Sequence, residues 1–404
     1  TKSFSLQPPP PLQPGETPRA LEEMPHYRSI MDSLVRYVER YNLASSQLHQ
    51  FVQVQNAAVS VSNSGSSNYI QSCASLHQDL ETYVLRAAHI TFTTLGSAGS
   101  RIIEGADKFE VVVIDEAAQS AEPSTLVALQ VGSSHAVLIG DPQQLPATVF
   151  SLSGRHTKYD RSLFQRLEEA GHPVHMLDIQ YRMNPRISEF PRKIFYDGKL
   201  RDGLNVKSPL YGGELGAILA SKVAQIQPFT MFDLDSCEEK DGTSWSNSEE
   251  ASFALFLYET LVDETNGLLE NKHVAIITPY SQQAALLKQV FTRDKRMLVD
   301  ISTVDAYQGK EADVVILSCV RASGTGKGIG FLNDVKRMNV ALTRAKHFLF
   351  VIARIRSIVV NPYWKDLVQN AQERQAILIV PSKTTQETET GQFRRFPPLK
   401  SFCS

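Results

Sequence analysis

Val111-Val112-Val113-Ile114-Asp115-Glu116-Ala117-Ala118-Gln119 is the stretch that decides the fold. Four β-branched apolar residues in succession predict a strand buried on both faces, the usual state of a strand in a parallel α/β sheet. The run stops on two adjacent carboxylates, so Asp115 and Glu116 fall at the strand end, the edge where open α/β sheets bind ligands. An acid there can hold Mg²⁺ on nucleotide phosphates, and its neighbour can orient or deprotonate a water. On these residues alone a strand ending in solvated acids is an equal alternative.

Outward from that strand the pattern repeats. Residues 122–130 predict a helix, and Ala136-Val137-Leu138-Ile139-Gly140-Asp141 a second buried strand that also ends in an acid. Pro142-Gln143-Gln144-Leu145-Pro146 follows as a loop. Two parallel strands ending side by side would bring Gln144 near Asp115 and Glu116, within reach of a nucleotide γ-phosphate; a Pro-bounded structural loop is the alternative. A helix over 160–170 is broken by Gly171-His172-Pro173, where we place a domain boundary. Upstream, 1–26 is a Pro-rich extended linker, 27–60 one or two helices, 60–67 a Ser/Gly/Asn loop, 70–86 a helix and 87–92 an apolar strand. Thr93-Thr94-Leu95-Gly96-Ser97-Ala98-Gly99 then gives small residues whose free amides suit a phosphate backbone, or an ordinary Gly/Ser turn. Downstream we expect a strand at 174–179, an irregular crossing at 198–225, a strand at 229–234, a polar loop at 237–247 and a helix at 248–263. Strands at 273–278, 297–301, 313–320 and 347–353 then alternate with helices at 281–291 and 334–346, which argues for a second parallel α/β domain. After Pro362 periodicity fades, and from Ser382 the Thr/Gln/Glu-rich tail reads as disordered.

At 404 residues the chain has room for two or three domains, and 42% hydrophobic with 21% charged residues describes a globular protein with substantial cores. A net charge of −2 does not announce a nucleic-acid binder, though a local basic groove needs no net excess. The cysteines Cys73, Cys237, Cys319 and Cys403 show no metal-ligand spacing and fit a reducing compartment. No stretch approaches a membrane span. The chain begins Thr1-Lys2 rather than with Met, which suggests a fragment.

Five motifs occur in order: Asp115-Glu116-Ala117-Ala118-Gln119; Gly140-Asp141-Pro142-Gln143-Gln144-Leu145-Pro146; Gln180-Tyr181-Arg182-Met183-Asn184-Pro185; Val304-Asp305-Ala306-Tyr307-Gln308-Gly309-Lys310-Glu311; and Asn339-Val340-Ala341-Leu342-Thr343-Arg344-Ala345-Lys346. Together they resemble the motifs of superfamily 1 helicases, in the superfamily 1B group containing senataxin and the nonsense-mediated-decay helicase. The run from Ile187 to Leu200 is similar to the senataxin-like branch. The resemblance covers about residues 85–355. It implies an α/β fold of two RecA-like parallel-sheet domains, the first incomplete: 27–171, with a helical insertion at 27–86 and the acidic-pair strand at 111–116, and 172–362, leaving 363–404 as a largely disordered tail. It further implies ATP and Mg²⁺ as cofactors, with Asp115 the metal ligand, Glu116 the catalytic acid, Gln144 the γ-phosphate sensor and Arg182 and Arg344 the arginine fingers. Tyr181, Gly309 and Glu311 match nucleotide contacts. Thr93, Thr94, Pro279, Tyr280 and Thr303 match contacts to single-stranded RNA or DNA, with RNA–DNA hybrids as a further substrate and the nucleus favoured over the cytoplasm.

One departure stands out. No G-x-x-x-x-G-K-[ST] phosphate loop precedes the acidic pair, and Gly324-Thr325-Gly326-Lys327 is followed by Gly328, so we read it as a decoy in a variable loop. The expected chain is therefore an ATP-dependent helicase, translocating 5′ to 3′, seen without its phosphate loop. The alternatives are a catalytically inactive helicase-like module that binds nucleic acid or partners, and a nucleotide switch without unwinding, which the two arginines disfavour.

Overall fold

The computed structural model describes residues 85–86, 88–105, 108–149, 151–223, 225–292, 299–323 and 328–381, with short pieces at 386–387, 393–394, 396, 399 and 402. The expected linker, the helices before residue 85, the 60–67 loop and the Gly324–Lys327 run lie outside them. The chain divides into two compact units, Thr1–Lys108 and Phe109–Ser404, so the boundary expected at 171–172 lies inside the second.

In the first unit the strand expected over 87–92 is absent from the described residues: 88–94 has no regular structure, with Ile90 73% and Phe92 93% exposed. An apolar run becomes a strand only beside a hydrogen-bonding neighbour, and none of the described residues supplies one. A single helical turn, Leu95–Ala98, follows, capped by Thr94, whose Oγ1 accepts from the Ser97 amide at 3.2 Å.

The second unit opens with a parallel pair, β1 (Val111–Ile114) and β2 (His135–Leu138), in register Val111↔His135 to Ile114↔Leu138. The expectation that both strands are buried on two faces is corrected here. Only Ile114 is buried, whereas Val111, Val113 and Val137 are about half exposed. A β-branched run specifies a strand, but burial depends on what covers it, and among the described residues this sheet has two strands.

Two short parallel bridges, β3 (Ile179–Gln180) and β4 (Arg201–Asp202), come next, replacing the longer strand expected at 174–179. The Pro173 break is followed by exposed residues with no partner strand until Ile179. The crossing expected to be irregular contains a helix, Gly213–Lys222, whose Leu215 and Leu219 are buried four residues apart. The polar loop expected at 237–247 folds as a hairpin of β6 (Glu239–Asp241) and β7 (Ser244–Ser246), just after β5 (Phe229–Asp233).

β5 belongs to the main sheet with β8 (Val274–Thr278), β9 (Val299–Thr303), β10 (Ala312–Ser318), β11 (Ala345–Ala353) and β12 (Ile377–Ile379). All pairings are parallel, in the order β12-β5-β11-β10-β8-β9. The inner strands β8, β10 and β11 read as nearly continuous apolar runs because both faces are covered. One face carries Met231, Ile277, Val315, Leu317 and Val351 against helices 185–195, 335–342 and 362–373. The other carries Phe232, Ile276, Ile316 and Phe350 against helices 248–264 and 281–291. The end expected at residue 362 is also corrected. Pro362 starts a helix to Glu373 that buries Trp364, Leu367, Val368 and Ala371, β12 closes the sheet edge, and Phe396, Leu399 and Phe402 are buried on the second core. Proline at the first helical position starts a helix rather than ending one.

A buried polar network ties helix 248–264 to the end of β10. Glu250 is fully buried; its Oε2 accepts from Ser318 Oγ at 2.6 Å and from the Val320 amide at 2.9 Å. Asn247 Nδ2 donates to the Val320 carbonyl at 3.0 Å. Val320 thus keeps a left-handed φ of 70°, costly for a β-branched residue, through bonds at both its backbone polar groups. Burial pushes the Glu250 carboxyl up to about 8, well above its ordinary range. A carboxyl whose pKa is raised by folding contributes stability that is complete below its unfolded pKa of about 4.5 and is lost as pH rises through about 8. The melting temperature should therefore fall between about pH 4.5 and 8, and Glu250→Gln, which cannot ionise, should remove most of that fall. An equal fall in the variant would contradict this role for Glu250.

Candidate active site

The two sheets present opposite edges to the site. Beyond the carboxyl end of β1, Asp115 and Glu116 are exposed, and Asp115 Oδ1 accepts from the Glu116 amide at 3.0 Å. Glu116 sits in left-handed backbone (φ 53°, ψ 35°), which turns the chain sharply, and its Oε2 accepts from Gln119 Nε2. Ala117-Ala118-Gln119 forms a 3₁₀ turn, and the Ala117 amide donates to the Ile139 carbonyl at 2.7 Å, fastening the acidic turn to the loop after β2. Gly140 permits this approach: a Cβ there would lie 2.7 Å from the Ala118 nitrogen and 3.1 Å from its Cβ. Gly140→Ala should cost roughly 1–3 kcal/mol of unfolding free energy, as overpacking against backbone does. Denaturant melts of the two proteins test this, and superimposable curves would contradict it.

In the loop after β2, Asp141 Oδ2 accepts from Gln144 Nε2 at 2.9 Å. Across from it lies the amino-terminal edge of the six-stranded sheet, where Glu311 precedes β10 and Asp313 stands near its start, and Arg344 precedes β11, which has Lys346 and His347 among its first residues. Between these edges is a cavity of about 680 Å³ lined by Gln144, Tyr181, Arg182, Glu311, Arg344 and Lys346 among others. Five of the sequence-predicted residues meet there. Asp115 and Glu116 are not among its walls, although the charges of Glu116 and Asp141 reach the Arg344 guanidinium.

The two arginines differ. Arg182 Nε donates to Glu311 Oε2 at 2.6 Å, and Lys346 Nζ lies 2.8 Å from Glu311 Oε1, so Glu311 is clamped between two cations that hold its carboxyl below the usual range. Arg344 is 2% exposed and is bonded to neutral oxygens: the Val340 carbonyl at 3.0 Å, the Lys310 carbonyl at 3.3 Å and Thr343 Oγ1 at 2.9 Å. Burial, then the neighbouring charge of Arg182, lowers its pKa to about 10, which leaves it charged at neutral pH. The helix expected to reach 346 stops at Leu342, so Arg344 stands in the turn before β11 rather than on a helix face. Tyr181 is 62% exposed over Gly203, where a Cβ would come within 2.5 Å of its ring. Gly309 takes φ +77° in the turn before β10.

The predicted nucleic-acid residues lie elsewhere. Pro279, Tyr280 and Thr303 are at the carboxyl edge of the main sheet, a strand length of roughly 17–20 Å from its amino-terminal edge. Thr303 is partly exposed, whereas Pro279 is buried and Tyr280 is 1% exposed with its hydroxyl donating to the Ile329 carbonyl at 3.0 Å. Thr93 and Thr94 are exposed in the first unit. The sequence reading missed Tyr211, Asp313, Lys346 and His347 on the cavity wall. Lys346 closes a quoted motif and was within reach, but Tyr211 lies in a segment without periodicity.

A cation-lined cavity between two parallel α/β edges, with four of the five motifs on its walls, defines a helicase-type core. Two family models, each described as "AAA domain", match residues 23–152 and 159–356. "Probable helicase MAGATAMA 3" of Arabidopsis thaliana is 39% identical over 310 residues, 74% of this chain and 37% of that protein. "Probable helicase senataxin" of Homo sapiens is 32% identical over 321 residues, 74% of this chain and 12% of that protein. The solved structure of PRRSV helicase aligns with 69% of this chain and 45% of its own at 16% identity and a TM-score of 0.33. The chain belongs to the Upf1-like superfamily 1 helicases, senataxin branch. It spans 37% or less of the two curated relatives compared above.

Proposed function

We propose that this chain carries the cleft of an ATP-dependent RNA/DNA helicase that hydrolyses ATP while moving 5′ to 3′ along single strands. The observation that carries this reading is the convergence of Gln144, Tyr181, Arg182, Glu311 and Arg344, drawn from four of the five motifs, on one cavity of about 680 Å³. That volume is in the range of nucleotide-sized ligand sites. Its donors fit the ligand: Arg182, Arg344 and Lys346 answer a polyphosphate, and the exposed Tyr181 ring answers a base. No cluster of three metal-ligating side chains exists among the described residues, and none is needed, because Mg²⁺ on a nucleotide takes one or two carboxylates with phosphate oxygens and water. Asp115 would be that carboxylate.

When bound, ATP supplies the γ-phosphoryl group and Mg²⁺ offsets the charge on its oxygens. Glu116 orients the attacking water and accepts its proton, Gln144 donates toward the γ-phosphate, and Arg182 and Arg344 offset charge from the facing edge. Glu311 aims Arg182 through their ion pair, and Gly309 gives the backbone turn beside it. Thr93, Thr94 and Thr303 contact the sugar–phosphate chain of single-stranded RNA or DNA without reading bases, while Pro279 and Tyr280 shape that edge from within. RNA–DNA hybrids are a further substrate, and the nucleus is the expected place of action.

Strand displacement by the complete protein tests this on duplexes with a 5′ or a 3′ single-stranded tail. ATP-dependent unwinding of the 5′-tailed duplex is expected. Unwinding of the 3′-tailed duplex alone would reverse the polarity, and no unwinding or ATP hydrolysis would leave the non-catalytic module.

A further inference from the structure

Resting on that reading of the cleft, we propose that Tyr196 is a positioning residue that locks the Gln144 loop to the two elements carrying the arginines. Tyr196 ends helix 185–195, which begins three residues after Arg182. Its hydroxyl donates to Asp141 Oδ2 at 2.7 Å and accepts from Asn339 Nδ2 at 3.0 Å. Asp141 is the carboxylate that also takes Gln144 Nε2 at 2.9 Å and, through Oδ1, the Gln143 amide at 2.9 Å. Asn339 is fully buried in helix 335–342, which runs directly into Thr343 and Arg344, and its Nδ2 also donates to the Gln143 carbonyl at 3.1 Å. One phenol therefore joins the sensor loop to both arginine-bearing segments.

The chemistry suits a lock rather than a proton carrier. Burial, and then the Asp141 charge, raise the Tyr196 pKa far above the ordinary phenol range, so the group stays a donor at any working pH. A hydrogen bond to a carboxylate is among the stronger ones available to a neutral donor. When the γ-phosphate draws Gln144 away from Asp141, the Tyr196 bond keeps Asp141, and hence the loop, in register with the Asn339 helix. Arg344 is then presented in step with Gln144. Tyr196 is partly buried at the cavity wall, and its hydroxyl is committed to these neighbours, through which it acts.

The test is a double-mutant cycle in the complete protein, measuring ATP turnover with saturating single-stranded RNA. Tyr196→Phe deletes only the hydroxyl, and kcat should fall about 10-fold with the ATP KM within about two-fold, the effect of one lost hydrogen bond to a charged acceptor. In a Gln144→Ala background the same change should cost less than about two-fold, because the loop it positions no longer carries its sensor. A purely structural Tyr196 would cost the same in both backgrounds. Equal costs, or a wild-type kcat in Tyr196→Phe, would overturn the proposal while leaving the helicase reading intact. A wild-type protein that does not hydrolyse ATP would overturn both.

Discussion

Glu116→Gln should lower nucleic-acid-stimulated ATP turnover by at least about 10²-fold while leaving ATP and single-strand affinity within about two-fold. The amide keeps the shape of the side chain and can still accept from Gln119, so the left-handed turn that presents it should persist. What it loses is the capacity to take a proton from water. Asp115 is untouched, so nucleotide and metal should bind as before. The residue fits the role because it is exposed at the carboxyl end of β1 and occupies a backbone conformation that non-glycine residues adopt only where the surroundings enforce it. Turnover and equilibrium binding measured on the same preparation decide the matter. Unchanged stimulated turnover would remove the acidic pair from the mechanism.

Arg344→Ala should have the largest effect, a kcat loss of roughly 10³–10⁵-fold, the scale on which arginine fingers act in phosphoryl transfer. Arg344 is held in place by three neutral oxygens and joins no salt bridge among the described residues, so its charge remains available to a ligand in the cavity. Arg182, by contrast, is already paired with Glu311. Arg344→Lys should keep the charge but lose the planar fork, and recover only part of the rate. Single-turnover rates with saturating ATP provide the readout. An alanine variant within about three-fold of wild type would assign Arg344 to scaffolding alone.

Much of this arrangement could be read from the sequence because parallel strands buried on both faces leave an unbroken apolar record. Val274–Thr278 and Ala312–Ser318 are of this kind, and Glu311, just before the second of them, meets residues of three other motifs at one cavity. Where the reading failed, tertiary context had decided. Val111–Ile114 has the same composition but one partner strand among the described residues, so composition alone misjudged its burial. The helix beginning at Pro362 buries Trp364, Leu367, Val368 and Ala371 at helical spacing, where the sequence reading saw periodicity fade. The resemblance implied nucleic-acid contact for Tyr280, while its ring is buried beside Phe331. Tyr196 was visible only as part of a resemblance; its partners lie 55 and 143 residues away, and periodicity carries no record of such pairs.

The central claim is that the cavity between Gln144 and Arg344 is an ATP cleft whose activity depends on a bound single strand. Steady-state ATP hydrolysis by the complete protein, followed over a titration of single-stranded RNA and separately of single-stranded DNA, addresses it most directly. The account predicts hydrolysis that rises with the nucleic acid and saturates, requires Mg²⁺, and is abolished in Glu116→Gln. Hydrolysis that is absent, or that proceeds at one rate whether or not a strand is present, would contradict it.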